Sequence, residues 1–455
     1  MSHSLALPSS YRDPAGFMML DGATFKRVVT EQGAADYETF MRSGLHQDLV
    51  HDGLMLDHHE EPVPATESNW AKLLVPEQLG FVSYPYEWSF DEYKDAALLT
   101  LEIQERALAH GLSLKDASPY NVQFRGARPV FIDTLSFERS EGGPWVAYEQ
   151  YCEQFLGPLA LMGYVDPEAS RYLKTDLDGF SLGRVSRALP LSSYWNAGAL
   201  MHIHLHSRAA RKRGGPEPSH ANSSLDRSRL LVASLRKTVE RIPTPSYASS
   251  WTDYYEDARY YSPEAQRSKR DFVPFLARRV RPELVFDLGT NTGLFASELA
   301  AAGANCVAFD SDAGCINRLY LKERAAPASR VLPLVMDLAN PSPALGFELR
   351  ATLSLFERPQ ADLVLCLALL HHLRITANLP LCRIADFLAR LGRWLLIEFV
   401  PPDDPGAQTL MRRRQHFEDY DLASFLQVFD ERYYFREIQT LAGAARALYL
   451  LERRA

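Results

Sequence analysis

From residue 284 onward the chain alternates short apolar runs with stretches of helical periodicity. The runs at 284–288, 305–309, 331–335, 362–366, 394–399 and 445–451 have the length and character of strands. Between most of them apolar residues recur at helical spacing, which predicts helices over 293–303, 313–324, 377–391 and 421–428. Alternating strands and helices predict an α/β fold with a parallel or mostly parallel sheet covered on both faces. The last two runs, 433–439 and 445–451, are separated by a short Gly-containing turn and predict a closing antiparallel hairpin.

The first half is patterned differently. Residues 98–110 carry one long helical pattern, 121–124 and 130–132 read as a hairpin, and 145–206 read as helical, an α+β arrangement. Residues 207–224 are basic and rich in Gly, Pro and Ser, including Arg211, Lys212, Arg213, Gly214, Gly215 and Pro216. That composition predicts a linker or exposed loop. A helical pattern returns at 224–242 through Leu225, Leu230, Leu231, Leu235, Val239 and Ile242. The chain is therefore expected to divide into a domain over 1–207, a linker and connecting helix over 208–247, and a second domain over 248–455.

The 455 residues suffice for two or three cores. A hydrophobic fraction of 46% and a charged fraction of 23% are ordinary for a soluble globular chain. A formal net charge of -8 argues against a protein built to neutralise phosphates, so no nucleic-acid partner is expected. No apolar run reaches membrane-spanning length and the first residues lack a signal-peptide pattern, which makes cytoplasmic placement the default expectation. The five cysteines form no CxxC pair, so neither a disulfide framework nor a zinc ribbon is expected. Cys306, Cys366 and Cys382 lie in apolar sequence and are expected in the core.

The chemistry-bearing stretch is 285–295. An apolar run enters Asp287, then the turn Gly289-Thr290-Asn291-Thr292-Gly293, then a helical pattern. The second strand ends in Asp310, 23 residues after Asp287; the third ends at Met336-Asp337. The fourth runs through Leu367 into Leu370-His371-His372-Leu373. In that order these features resemble S-adenosylmethionine (SAM)-dependent methyltransferases of the Rossmann-like class, over about 250–455. The resemblance implies a seven-stranded sheet and SAM as cofactor. Gly289 and Gly293 would pass near its methionine part and Asp287 near its amino group. Asp310 would accept from the ribose hydroxyls, Asp337 would face the adenine amino group, and Leu367 would join the cofactor contacts. Asn291 stands where the family usually has a third glycine, and Asn tolerates left-handed backbone. Asp310 could instead cap a helix, although Asp312 is the better cap, and Asp337 could be an exposed turn residue.

His371 or His372 would lie beside the methyl donor as general base, the alternative being local capping and packing. Glu398, at the end of the fifth strand, is a third candidate base, its alternative a salt bridge to a nearby Arg. The aromatic stretch 251–261 could fold over the cofactor, with Tyr260 or Tyr261 in contact, or pack on the sheet edge. A NAD-dependent dehydrogenase would normally show G-x-G-x-x-G, which this turn lacks. The acceptor class implied is a small molecule or glycan, with the methylated atom and the oligomeric state left open. A non-catalytic SAM-binding protein is the alternative.

In the first half, Asp116, Asn121 and Asp133 are spaced like the catalytic loop and metal-binding strand of the protein-kinase-like superfamily. The resemblance implies that Asp116 orients an acceptor hydroxyl while Asn121 and Asp133 hold magnesium. Leu114 replaces the usual His and no Gly-rich phosphate loop precedes it. Lys26, with Glu38 as partner, is the candidate small-lobe lysine. The expectation is a degenerate kinase-like domain that binds or positions the acceptor; a small-molecule or glycan kinase, or a bifunctional enzyme, is the alternative. A plain helical domain with an Asx-turn at Asp116 is the remaining reading. The combined chain resembles rhizobial host-specificity nodulation proteins, which implies a glycan or glycolipid acceptor.

Overall fold

A computed structural model describes residues 6–7, 9–22, 24–208, 225–247, 263–412, 417 and 419–454. Two compact units emerge: Met1–Ser246 with Ala344–Thr352, and Tyr247–Pro343 with Leu353–Ala455. Among the described residues no helix is long and apolar enough to cross a membrane.

The first unit opens with strands β1 (Gly16–Asp21), β2 (Thr24–Thr30), β3 (His58–Glu61) and β4 (Trp70–Pro76), an antiparallel sheet in the order β1-β2-β4-β3. Alternation along β2 splits its side chains between two cores. Val28 packs with Met19, Trp70 and Leu73, whereas Val29 packs with Ala15, Leu74, Leu135 and with Tyr37 of the helix Glu31–Arg42. The helix Phe90–Ala109 follows, buried on most of its circumference. Glu92 holds its first turn by accepting from Ser89 N and Ser89 Oγ, both at 2.7 Å.

Four short strands come next: β5 (Leu112–Leu114), β6 (Val122–Arg125), β7 (Arg128–Phe131) and β8 (Phe137–Arg139). They pair antiparallel as β5 with β8 and β6 with β7, the latter being the hairpin expected from sequence. Residues 148–205 are short helical pieces. The helix Leu225–Glu240 belongs to this first unit. It buries Val232, Leu235 and Val239, ion-pairs Arg236 with Glu105, and accepts from Lys94 Nζ at the Glu240 carbonyl. Its apolar face is satisfied inside the first unit.

The second unit is a seven-stranded sheet of β9 (Leu284–Leu288), β10 (Asn305–Asp310), β11 (Val331–Val335), β12 (Ala361–Cys366), β13 (Gly392–Phe399), β14 (Tyr433–Thr440) and β15 (Ala447–Arg453). The order is β11-β10-β9-β12-β13-β15-β14. The first five strands are parallel, and β15 enters antiparallel between β13 and β14. Helices Pro263–Val280, Leu294–Ala301, Ala313–Arg324, Leu381–Leu391 and Leu422–Asp430 accompany the sheet. The central strands are buried on both faces along most of their length, which explains their mainly apolar sequence.

One core expectation is corrected. Cys306 and Cys366 are buried, but Cys382 is exposed. The helix Leu381–Leu391 buries Leu381, Ile384, Ala385, Leu388 and Leu391, a single stripe that leaves position 382 outside.

Candidate active site

The parallel strands end together, and the strand order reverses between β9 and β12, the place where open α/β sheets bind ligands. The turn after β9 is built for close approach. Gly289 N and Thr290 N both donate to the Phe309 carbonyl, at 2.9 and 3.0 Å, fastening the turn to the end of β10. Gly289 has φ +68°, and a Cβ there would meet Leu369 at 3.1 Å. Asn291 adopts φ 55°, the left-handed conformation that a glycine takes without strain. The turn thus survives the substitution, and the Asn291 side chain accepts from Thr292 N at 2.7 Å.

Asp310 knits the two strand ends. Its carboxylate accepts from Asn291 N at 2.8 Å and from Asp312 N at 2.9 Å. Burial pushes its carboxyl up from the usual range, against these backbone donors, which push it down. Asp312, as the sequence indicated, is the helix cap, accepting from Gly314 N and Cys315 N.

A cleft of about 580 Å³ opens at this edge, within the usual size range for ligand sites. Gly289, Asn291, Asp310, Asp337, Leu367 and His372 line it, joined by Lys269, Ser311, Met336 and Leu369. Asp337 is exposed, with one oxygen accepting from Ala339 N at 2.9 Å. Ala368, also on the lining, has φ 51°. A non-glycine residue held there stores about 1–2 kcal/mol of strain, a cost often found at functional sites.

Four expected site residues lie off the cleft lining. Asp287 sits beneath the turn at 3% exposure, accepting from Thr290 Oγ1 at 2.6 Å, and burial pushes its carboxyl up to about 6. Gly293 has φ +74° and packs where a Cβ would meet Leu319 at 2.3 Å, so it serves the helix start. His371 is 5% exposed, with Nδ1 buried and lacking a hydrogen-bond partner, and burial drives its ring well below the usual imidazole range. Glu398 is fully buried and engaged by two cations, Lys269 Nζ at 2.6 Å and Arg446 Nη1 at 3.6 Å. The ion pair to a nearby arginine, set beside the base role in the sequence, is present here, with Lys269 as the nearer partner. Arg446 in turn makes a two-pronged contact with Asp404, at 2.8 and 3.0 Å.

His372 does reach the cleft. Burial first, then the charge of Arg446, lowers its ring to about 4. Residues 251–261, with Tyr260 and Tyr261, lie outside the described residues. Lys269 is absent from the sequence expectations, yet a signal was present. It occupies a position on the apolar stripe Ala265, Phe272, Val273, Leu276, where a charge requires a partner.

In the first unit, Asp116, Asn121 and Asp133 form one hydrogen-bonded cluster. Asp116 accepts from Ser118 N, an Asx-turn, and from Gln150 Nε2. Asn121 Nδ2 donates to Ser136 Oγ at 3.1 Å, and Ser136 Oγ donates to Asp133 at 2.6 Å. Burial, then the Asp133 charge, raises the Asp116 carboxyl. Arg27 Nη2 lies 2.9 Å from Asp133 Oδ1. The small-lobe expectation is corrected here: Lys26 pairs with Asp21 and Glu61, and Glu38 pairs with Arg42. Successive residues of a strand face opposite ways, so Arg27, not Lys26, shares the Val29 face directed at Asp133.

Residues 261–445 match the family model described as a methyltransferase domain. The chain is 29% identical to nodulation protein NoeA of Rhizobium meliloti (strain 1021), over 98% of this chain and 95% of that one. Among solved structures, magnesium protoporphyrin IX methyltransferase (ChlM) from Synechocystis PCC 6803 with bound SAM aligns with TM-score 0.32 and 18% identity, over 45% of this chain and 92% of that one. The bifunctional kinase-methyltransferase WbdD aligns with TM-score 0.31 and 18% identity, over 44% and 41% of the two chains. The C-terminal unit thus carries the methyltransferase-domain match on a seven-stranded sheet of the Rossmann-like class.

Proposed function

We propose that the chain methylates a small-molecule or glycan-type acceptor, with SAM in the cleft at the ends of β9 to β12. The observation that carries this reading is the convergence of Asp310, Asp337 and the Gly289–Asn291 backbone on one cleft. A carboxylate has about four acceptor sites, so Asp310 keeps capacity for ribose hydroxyls while two backbone N–H groups fix its orientation. Asp337 between Met336 and Leu338 pairs an acceptor for an exocyclic amine with apolar flanks for a ring. SAM, when bound, supplies an electrophilic methyl on sulfonium, so the protein's task is alignment and proton removal.

Of the three candidate bases, His372 is the one on the cleft wall. Its lowered pKa keeps the imidazole neutral near pH 7 and makes it a weaker base than a free one, so it takes the proton as methyl transfer makes the acceptor hydroxyl or amine acidic. We assign acceptor selection, not phosphoryl transfer, to the first unit. The Arg27 guanidinium sits on the carboxylate that would otherwise hold a metal ion. The glycan or glycolipid acceptor is what the resemblance to nodulation proteins implies, one of which is 29% identical over 98% of this chain.

The test is calorimetry of the full chain with SAM, its demethylated product and ATP, then a turnover screen on hydroxylated glycans and small metabolites. Binding of both SAM species with methyl transfer to one acceptor class supports the reading. Binding of ATP and of neither SAM species overturns it.

A further inference from the structure

In the first unit, well separated in sequence from the methyltransferase residues, three side chains converge. His46 lies in the first turn of the helix Leu45–His51, and Asp57 and His58 stand at the start of β3. One ligand-type atom from each lies within 4.8 Å of the other two. His46 is 5% exposed, and its Nε2 is buried with no hydrogen-bond partner. His58 Nδ1 is likewise buried with no partner. His46 Nε2 stands 3.9 Å from Asp57 Oδ1, too far for a hydrogen bond. The two rings meet edge to face, 4.6 Å between centroids.

The protonation of His58 follows from its other side. The Tyr37 hydroxyl has one proton and donates it to Glu60 Oε1 at 3.0 Å. The same oxygen lies 2.9 Å from His58 Nε2, so it accepts there and Nε2 carries the ring proton. His58 Nδ1 is therefore a bare lone pair aimed into the cluster. Glu60 is held in turn by Lys72 Nζ at 2.9 Å. A hydrogen-bond acceptor on the far nitrogen of a histidine, here the Tyr37 hydroxyl backed by Glu60, is the kind of contact that orients metal-binding imidazoles.

We propose that His46 Nε2, His58 Nδ1 and the Asp57 carboxylate bind a divalent transition-metal cation, zinc being the one the ligand set fits. Two imidazoles and one carboxylate suit zinc and disfavour calcium or magnesium, which take oxygen ligands. Tetrahedral zinc at ~2.1 Å from each ligand draws them to about 3.4 Å apart. Asp57 Oδ1 accepts from His58 N at 2.8 Å and its side chain is 63% exposed, so a rotation of the carboxylate closes that gap. The bound cation ties the helix Leu45–His51 to β3 and gives two buried nitrogens the partner they lack.

The test uses the full-length protein, stripped with a chelator and titrated with zinc against a chromogenic competitor, with cobalt(II) as a spectroscopic substitute. One tightly bound equivalent, with visible cobalt bands of tetrahedral N/O ligation, is expected. Asp57→Asn, at an exposed position, and His58→Gln should each weaken zinc at least tenfold while far-UV circular dichroism stays unchanged. Tyr37→Phe should weaken it about 10–100-fold by releasing the ring orientation. Zinc should raise the Tm of the wild type and leave that of His58→Gln unmoved. Failure to retain zinc at micromolar free metal overturns the proposal, as does an equivalent that survives both Asp57→Asn and His58→Gln.

Discussion

Lys269 Nζ lies 2.6 Å from Glu398 Oε2, with the two side chains 6% and 0% exposed. One residue comes from the helix before β9, the other from the end of β13, so the pair fastens that helix across the sheet edge beside the cleft. Lys269 also lies 5.3 Å from the Phe295 ring centroid, which adds a cation–π contact. Breaking the pair on the lysine side leaves the buried Glu398 carboxylate with the longer contact to Arg446 at 3.6 Å. Lys269→Met alone should cost about 3–5 kcal/mol, read by urea denaturation. In Lys269→Met/Glu398→Gln most of that loss should return, because neither charge is then left alone. Equal losses in the single and double variants would refute the coupling.

Asp310 is asked to hold both the turn and the ligand. Asp310→Ala removes the acceptor for Asn291 N and Asp312 N and should weaken SAM by about 1–3 kcal/mol. Asp310→Asn keeps one oxygen and should fall between. Calorimetry with SAM and its demethylated product distinguishes the two roles. A ribose contact weakens both ligands equally, whereas a purely structural role lowers Tm with affinity per folded molecule unchanged.

The histidine pair separates by pH. His372 has a folded pKa of about 4 against an ordinary value near 6.5, so the folded state disfavours its proton. Stability from this group is complete above pH 6.5 and is lost as the pH falls from there through 4. In His372→Gln the slope of stability against pH in that window should drop by up to about 1.4 kcal/mol per pH unit. With His372 as base, the same variant should lower kcat while SAM affinity holds. His371→Gln should lower Tm more than kcat, since His371 is buried off the cleft lining. Full turnover in His372→Gln would remove it from the proton-transfer role.

The second unit was legible because its strands are buried on both faces. Val331–Val335 and Leu363–Cys366 are apolar runs that no amphipathic alternative fits. Position along such strands also brought Asp310, Asp337 and Leu367 to one edge. Direction relative to that edge was not legible. Asp287 and Gly293 belong to the same motif as Gly289, but one faces down under the turn and the other faces Leu319. Glu398 and Lys269 lie 129 positions apart, and a pairing at that separation leaves no local trace. In the first unit a single step along β2 exchanged Lys26 for Arg27, because alternation fixes which neighbour faces Asp133 only once the buried face is known.

Arg27 and Asp133 give the last prediction. The Asp133 carboxylate accepts from Leu135 N at 3.0 Å and from Ser136 Oγ at 2.6 Å, and the Arg27 guanidinium forms an ion pair with it at 2.9 Å. With a guanidinium at that distance a second cation on the same oxygens meets like-charge repulsion, so magnesium should bind there weakly in the wild type. The full chain should therefore show no magnesium-dependent ATP turnover, measured by phosphate release. Arg27→Met removes the resident cation and leaves Asp133 beside Asn121 and Asp116, the residues a metal would need. Magnesium or manganese affinity should then rise in that variant, while Arg27→Lys, which keeps the charge, should stay near the wild type. Magnesium-dependent ATP turnover by the wild type, abolished in Asp133→Asn, would instead make this unit a working phosphotransferase with Arg27 displaced by the substrate complex.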